Sequence, residues 1–405
     1  MFRALCCAAL GFGLMLVSAS TEARELELSV ENRIGVDSNV FRRSSEREAD
    51  GFYAISPRLT VREGHSNLNY DFSYEPTYRT YYTTSGIDGF DHRGRGVVSW
   101  RPTGVDTLGL DGTYSNRRTL RLEDQGGSSL ETSDRERVKD SDVQLSYSRT
   151  LTEALSLQAS AAFTDRDYSQ NTNVDSRSYS GQLGPQYVLN PLTVVGLTAS
   201  FRQREDRGVG LQFWTETDIW NVSASFRRTL TPTLSISAQG GPSFFRSKQK
   251  SPLPGDPNTQ SQSTSFFAAV AIDKSWQRSN FKASYTRSES SGGGDASSSL
   301  VDNVTLDFKH RFDRRTSFRV LGSWINSKEI SDASGGSNRE TTRYLVVANA
   351  KRRITRQLSV IGQFSYSNQD EKRDGILPGT TRSDSIGDLY VGFLSLRYTF
   401  DPIRF

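Results

Sequence analysis

Histidine and cysteine, two of the side chains best suited to proton transfer and metal binding, are scarce in this chain. It holds three histidines, His65, His92 and His310, and none has metal-ligand spacing. No GxSxG, HExxH or P-loop occurs, nor a GxGxxG between a strand and a helix, so the usual frames for acyl transfer, zinc hydrolysis and nucleotide binding are missing. His92 or His310 beside one of the many serines could imitate the Ser–His dyad of a lipase, but with so many serines chance is the better explanation. The carboxylate groups Glu46/Glu48/Asp50 and Asp370/Glu371 could hold a divalent cation, although solvated loops account for them more simply. These residues lead to the expectation of no catalytic residue, no metal, no cofactor and no enzyme activity.

A larger set of charges is more informative. Arg58, Asp71, Glu75, Arg79, Arg95, Asp111, Arg117, Arg166, Arg202, Arg204, Arg227, Asp307, Lys309, Lys351 and Arg397 all fall on the polar side of segments that alternate apolar and polar residues. Most are basic. One reading is a cationic passage that favours anionic solutes or polymers. The other is that opposite charges pair across neighbouring strands and stiffen a wall. The net charge of +4 is too small to argue for nucleic acid as a partner.

The elements that would position these charges are strands. Leu155, Leu157, Ala159, Ala161 and Phe163 alternate with Ser156, Gln158, Ser160, Ala162 and Thr164. Leu358, Val360, Gly362, Phe364 and Tyr366 alternate likewise with Ser359, Ile361, Gln363 and Ser365. Such segments run for ten residues or more, longer than the strands of most soluble sandwiches. Only 35% of the chain is hydrophobic and its mean hydropathy is −0.57, yet it carries 16 Tyr, 22 Phe and 5 Trp. No stretch beyond residue 23 could span a bilayer as a helix. The remaining membrane-spanning solution is a closed barrel, in which every backbone group finds a partner on the next strand.

Turn counting sets the size. Arg149-Thr150-Leu151-Thr152, Arg228-Thr229-Leu230-Thr231 and Arg353-Ile354-Thr355 open similar tight turns, and others fall near Gly64, Pro102, Pro191, Arg278 and Arg314. Longer polar segments lie between them, such as 123–135, 249–262, 288–299, 331–339 and 369–382. Eight tight turns join sixteen strands, and one more at each end makes eighteen, an all-β, antiparallel up-and-down transmembrane barrel. Both termini then fall on the tight-turn side, which in bacterial outer-membrane barrels is the periplasm.

The ends fit that address. Arg3, the apolar run Ala4–Val17 and the small residues up to Ala23 read as a cleavable signal peptide, residues 1–23, leaving 24–405 as the barrel. Cys6 and Cys7, the only cysteines, fall within the removed segment. The last strand ends in Tyr398-Thr399-Phe400 and the chain in Phe405, an aromatic terminus that resembles the assembly signal of outer-membrane proteins. Trp100, Trp276 and Trp214 are placed to mark the two membrane interfaces, and Tyr70, Tyr74, Tyr78 and Tyr82 to face lipid.

After the signal comes Leu26-Glu27-Leu28-Ser29-Val30-Glu31-Asn32-Arg33-Ile34-Gly35-Val36, running into Asp37-Ser38-Asn39-Val40-Phe41-Arg42. This opening resembles that of the β-barrel porin 2 family. The resemblance implies an eighteen-stranded outer-membrane channel that passes secreted exopolysaccharide, working beside a periplasmic polysaccharide-export protein. It supplies no catalytic residues. A general or solute-selective porin is the alternative, with a lipase or a surface-anchoring barrel as further readings.

Overall fold

The computed structural model describes residues 24–41, 47–118, 137–169, 175–207, 214–250, 259–291, 298–329, 339–374 and 381–404. Residues 1–23, Phe405 and the segment 123–135 lie outside the described residues.

Eighteen long strands follow one another: β1 (Glu25–Asp37), β2 (Asp50–Gly64), β3 (Leu68–Tyr81), β4 (Gly89–Trp100), β5 (Asp106–Arg118), β6 (Arg137–Thr150), β7 (Leu155–Tyr168), β8 (Asp175–Asn190), β9 (Thr193–Arg207), β10 (Trp214–Thr231), β11 (Leu234–Lys250), β12 (Thr259–Ser275), β13 (Ser279–Ser291), β14 (Ser298–Arg311), β15 (Thr316–Glu329), β16 (Arg339–Arg353), β17 (Leu358–Asp374) and β18 (Thr381–Thr399). Each pairs antiparallel with its sequence neighbours, and β18 pairs with β1 from Ser29↔Thr399 to Asp37↔Val391. The sheet therefore closes on itself as an up-and-down barrel with no free edge. Pro402 breaks the last strand, and a two-residue β19 (Ile403–Arg404) resumes the pairing against Glu25 and Leu26.

Most of the tight turns share one chemistry. Thr152 accepts the N–H groups of Ala154 and Leu155, and Thr355 those of Gln357 and Leu358. Thr103 does the same for Val105 and Asp106, Asn190 for Leu192, and Asp313 for Arg315 and Thr316 at 2.6 and 2.7 Å. A short oxygen-bearing side chain thus satisfies backbone donors that the reversal leaves unpaired. Those two backbone donors hold the Asp313 carboxyl below the usual carboxylate range.

Beyond the alternating cores, the strands run on into segments that read as loops. Asp370 and Glu371 lie in β17, not in a loop, and Gln249, Lys250 and Thr259 to Gln262 lie in β11 and β12. There both faces are polar, so periodicity vanishes from the sequence while the hydrogen-bonded ladder continues.

Cross-strand partners share a face of the sheet. Phe52 and Ala54 of β2, Tyr81 of β3, Leu345 of β16 and Leu389 and Val391 of β18 meet in one buried cluster. Side chains from strands so far apart can meet only on the concave face, which fixes which residues point inward. The opposite face is apolar and exposed: Leu197 is 58% exposed, Phe266 57%, Trp220 55% and Leu394 59%. A continuous girdle of this kind far exceeds the apolar patches that a water-soluble surface tolerates, and it suits lipid. The shortest of the eighteen long strands, with 12 residues, extends about 40 Å, long enough when tilted to cross the apolar band of about 25 Å.

Tyrosine and tryptophan bound this band. Trp100 and Trp276 lie at the tight-turn end and Trp214 at the loop end. The hydroxyls of Tyr147, Tyr285 and Tyr366 donate to Asp106, Asp302 and Asp388, each at 2.7 Å, which anchors amphipathic rings on the outer surface. Tyr70, Tyr74 and Tyr78 also take the outer-facing positions of β3, opposite Glu63, Leu59 and Ile55.

The closing seam has its own ionic lock. Glu31 receives Arg33 Nε at 2.8 Å from its own strand and Arg397 Nε at 2.7 Å across the seam. Glu31→Gln leaves two inward guanidinium groups without that carboxylate, and charge-assisted hydrogen bonds of this kind contribute about 1.5 to 3 kcal/mol. Urea unfolding of the lipid-refolded barrel should register a loss of that size, whereas an unchanged midpoint would show that the lock does not stabilise closure.

Candidate functional site

The candidate site is the inner face itself. The cross-strand register places all fifteen charged residues singled out above on that face: Ser29↔Arg58, Arg62↔Asp71 and Glu31↔Arg397 link β1, β2, β3 and β18, and Val97↔Asp111, Val194↔Arg227, Lys309↔Arg319 and Ser317↔Lys351 extend the series.

Eleven of the fifteen meet an opposite charge or a ring. Arg95 reaches Asp111 at 2.9 Å, and Arg117 and Arg166 share Asp140 at 3.3 and 2.6 Å. Arg204 pairs with Asp206 at 2.6 Å, Asp71 with Arg62 at 2.8 Å and Asp307 with Arg319 at 2.8 Å. Glu75 sits between Arg58 and Arg33 at 3.8 and 3.9 Å, Arg397 closes the seam on Glu31, and Arg79 lies 4.3 Å from the centroid of the Phe52 ring. Arg202, Arg227, Lys309 and Lys351 have no ion pair among the described residues. Cross-strand pairing thus accounts for most of the charges, and what it leaves over is basic.

At the loop end lies a feature that alternation does not reveal. After β1 the chain turns inward at Asp37-Ser38-Asn39-Val40-Phe41. The Asp37 carboxylate accepts the Asn39 N–H at 3.1 Å, and Ser38 exchanges hydrogen bonds with the Tyr390 backbone on β18. Val40 is thereby fully buried on the inward cluster of Phe52, Tyr81, Leu345, Leu389 and Val391, with Phe41 and Ile87 packed beside it. The segment is a turn, as its Asx chemistry requires, and also an apolar wedge set inside the wall. Its sequence signal was the apolar pair Val40-Phe41 in an otherwise polar loop.

Of the histidines, His92 and His310 occupy outer-facing positions and His65 a tight turn. The Ser279 hydroxyl lies 2.8 Å from His310 Nδ1, with Phe308 and Phe312 against the ring. The nitrogen that a carboxylate would hold in a catalytic triad is the one bonded to serine. Of the carboxylates named for cation binding, Glu46 lies outside the described residues, Glu48 accepts the Thr84 hydroxyl while Asp50 accepts the Thr83 and Thr84 N–H groups, and Asp370 points outward from β17 beside inward Glu371.

No protein-family model matches the chain, and no curated protein matches it in sequence. Among solved structures it is similar to the ferric-catecholate import receptor Fiu from E. coli, at 7% identity over 94% of this chain and 82% of that one, with a TM-score of 0.48. It is also similar to the FrpB iron transporter from Neisseria meningitidis, at 10% identity over 92% and 81%, TM-score 0.46. A third is OccK2 from Pseudomonas aeruginosa, at 9% identity over 93% and 97%, TM-score 0.42.

If the wedge limits the bore, Phe52→Ala should act twice. Deleting a buried phenylalanine costs about 3 to 5 kcal/mol, and removing the platform under Val40 should raise single-channel conductance in planar bilayers. A destabilised barrel with unchanged conductance would show that the wedge does not set the bore.

Proposed function

We propose that this chain is a channel of a bacterial outer membrane that passes a secreted exopolysaccharide to the cell surface. The observation that carries the reading is the division of the barrel's two faces: an apolar, exposed exterior around an inner wall of hydroxyls, amides and charges. An exterior of that kind suits lipid, and an interior of that kind can hydrate a sugar polymer by exchanging water for side-chain hydrogen bonds. The fifteen charged residues line the passage in this reading, and their basic surplus accommodates acidic sugars. The tight turns and both termini face the periplasm, where residues 1–23 are removed as a secretion signal. A periplasmic polysaccharide-export protein delivers the cargo to the turn end.

Polysaccharide as the cargo is supported by the opening segment, whose Asp37-Ser38-Asn39-Val40-Phe41 resembles the β-barrel porin 2 family. The inward wedge favours a second reading, a solute-selective porin, because a narrowed mouth discriminates among small molecules.

A strain lacking this chain should keep polysaccharide inside its envelope and lose it from the surface, and surface display that survives the deletion would overturn the export reading. The porin reading instead expects steady small-ion conductance by the purified chain and no loss of surface polymer. Incubation with phospholipid should release no fatty acid, with Ser279→Ala as the control.

A further inference from the structure

One part of the inner wall is hollowed. Between β7 and β13 a recess of about 560 Å³ opens on the inner face, a volume in the range of small-ligand sites. The register explains the hollow: one row reads Gln186↔Gly196↔Ser225↔Gln239↔Ala269↔Thr286 and the next Val194↔Arg227↔Ser237↔Ala271↔Ser284. Gly196, Ser225, Ser237, Ala269, Ala271 and Ser284 put short side chains along these rows, which leaves space between the longer Gln186, Arg227 and Gln239.

Two Gly-Pro steps bound the recess. Pairing of β8 with β9 skips from Leu183↔Ala199 to Gln186↔Gly196 at Gly184-Pro185, and pairing of β10 with β11 skips from Asn221↔Ser243 to Ala224↔Gly240 at Gly241-Pro242. Proline supplies no N–H to the ladder. A Cβ on Gly184 would meet the Leu197 carbonyl oxygen at 2.0 Å, and one on Gly241 the Val222 carbonyl oxygen at 1.9 Å. These strands approach their neighbours too closely for any side chain.

Into this hollow point amides and two cations. Gln158 and Gln186 hold each other at 3.0 Å, and the Gln239 amide donates to Ser223 at 2.9 Å. Arg227 and Lys282 line the same recess, and neither has an ion pair among the described residues. Asp273 and Asp307 flank Lys282 in register, with Asp307 held by Arg319. Arg227 has only Val194 and Ser237 as its register partners.

Resting on the channel reading above, we propose that this recess is a binding subsite for an acidic saccharide unit. The Arg227 guanidinium takes the sugar carboxylate through paired N–H donors, Lys282 adds a second positive charge, and Gln158, Gln186 and Gln239 take ring hydroxyls. Glucose-type neutral sugars lack the group that Arg227 recognises.

Calorimetry on the full chain folded in detergent, with penta-galacturonate and maltopentaose as probes, tests the subsite. Galacturonate should bind and maltopentaose should bind more weakly. Arg227→Gln should lower the galacturonate affinity about tenfold, the loss of one charge-assisted contact, while Lys274→Gln on the outer face leaves it unchanged. Equal binding of the two probes, or an affinity indifferent to Arg227→Gln, overturns the subsite. Planar-bilayer current is read in parallel on the same preparations. Arg227-dependent binding without conductance removes the channel reading and keeps the subsite, whereas conductance without such binding does the reverse.

Discussion

Backbone hydrogen bonding is the constraint from which the rest of this molecule follows. A strand with lipid on its outer side has no water there to satisfy an unpaired N–H or C=O, so each strand needs a partner on both edges. Only closure of β18 on β1 provides that, and the seam is continuous from Ser29↔Thr399 to Asp37↔Val391, with β19 extending it to Glu25. The ionic lock at Glu31 sits on this seam because the first and last strands are 366 residues apart at that contact, and their union carries the largest loop-closure cost in the chain.

Closure frees the interior from the usual demand for an apolar core. On a polar inner wall, Arg and Asp need only neighbours of opposite sign, and cross-strand spacing supplies them at Arg95–Asp111 and Arg166–Asp140. An exposed pair such as Arg95–Asp111 contributes little to stability. Its consequence is positional, since a paired guanidinium is held against the wall while an unpaired one such as Arg227 stays available to a solute.

How much of this was legible in the sequence depended on whether one face of a strand touched lipid. Where Leu155 to Phe163 alternate with serine and glutamine, strand, face and length could all be read. So could the tight turns, because Thr152, Thr355 and Asp313 act within three residues of themselves. Strand ends were not legible at Asp370 and Glu371, where lipid no longer selects a side. The wedge escaped notice for a different reason: Val40 packs on Leu345 and Leu389, and no local pattern encodes contacts across 300 residues. Gly184-Pro185 and Gly241-Pro242 carry no local sign of their role, and only the register places them beside the hollow.

The two inward features are related by the strand count. The wedge is built from β16, β18, β2 and β3 and so centres on β1; the recess spans β7 to β13 and centres on β10. In a ring of eighteen, β1 and β10 are nine strands apart, on opposite walls. They also differ in height, since Val40 follows the loop end of β1 while Arg227 and Lys282 lie near the tight turns of β10 and β13. Under the channel reading proposed above, a solute moving from turn end to loop end meets the cationic recess first and the apolar wedge on the far side second. This asymmetry between opposite walls arises because a single chain, unlike a symmetric assembly, can give each strand its own inner face.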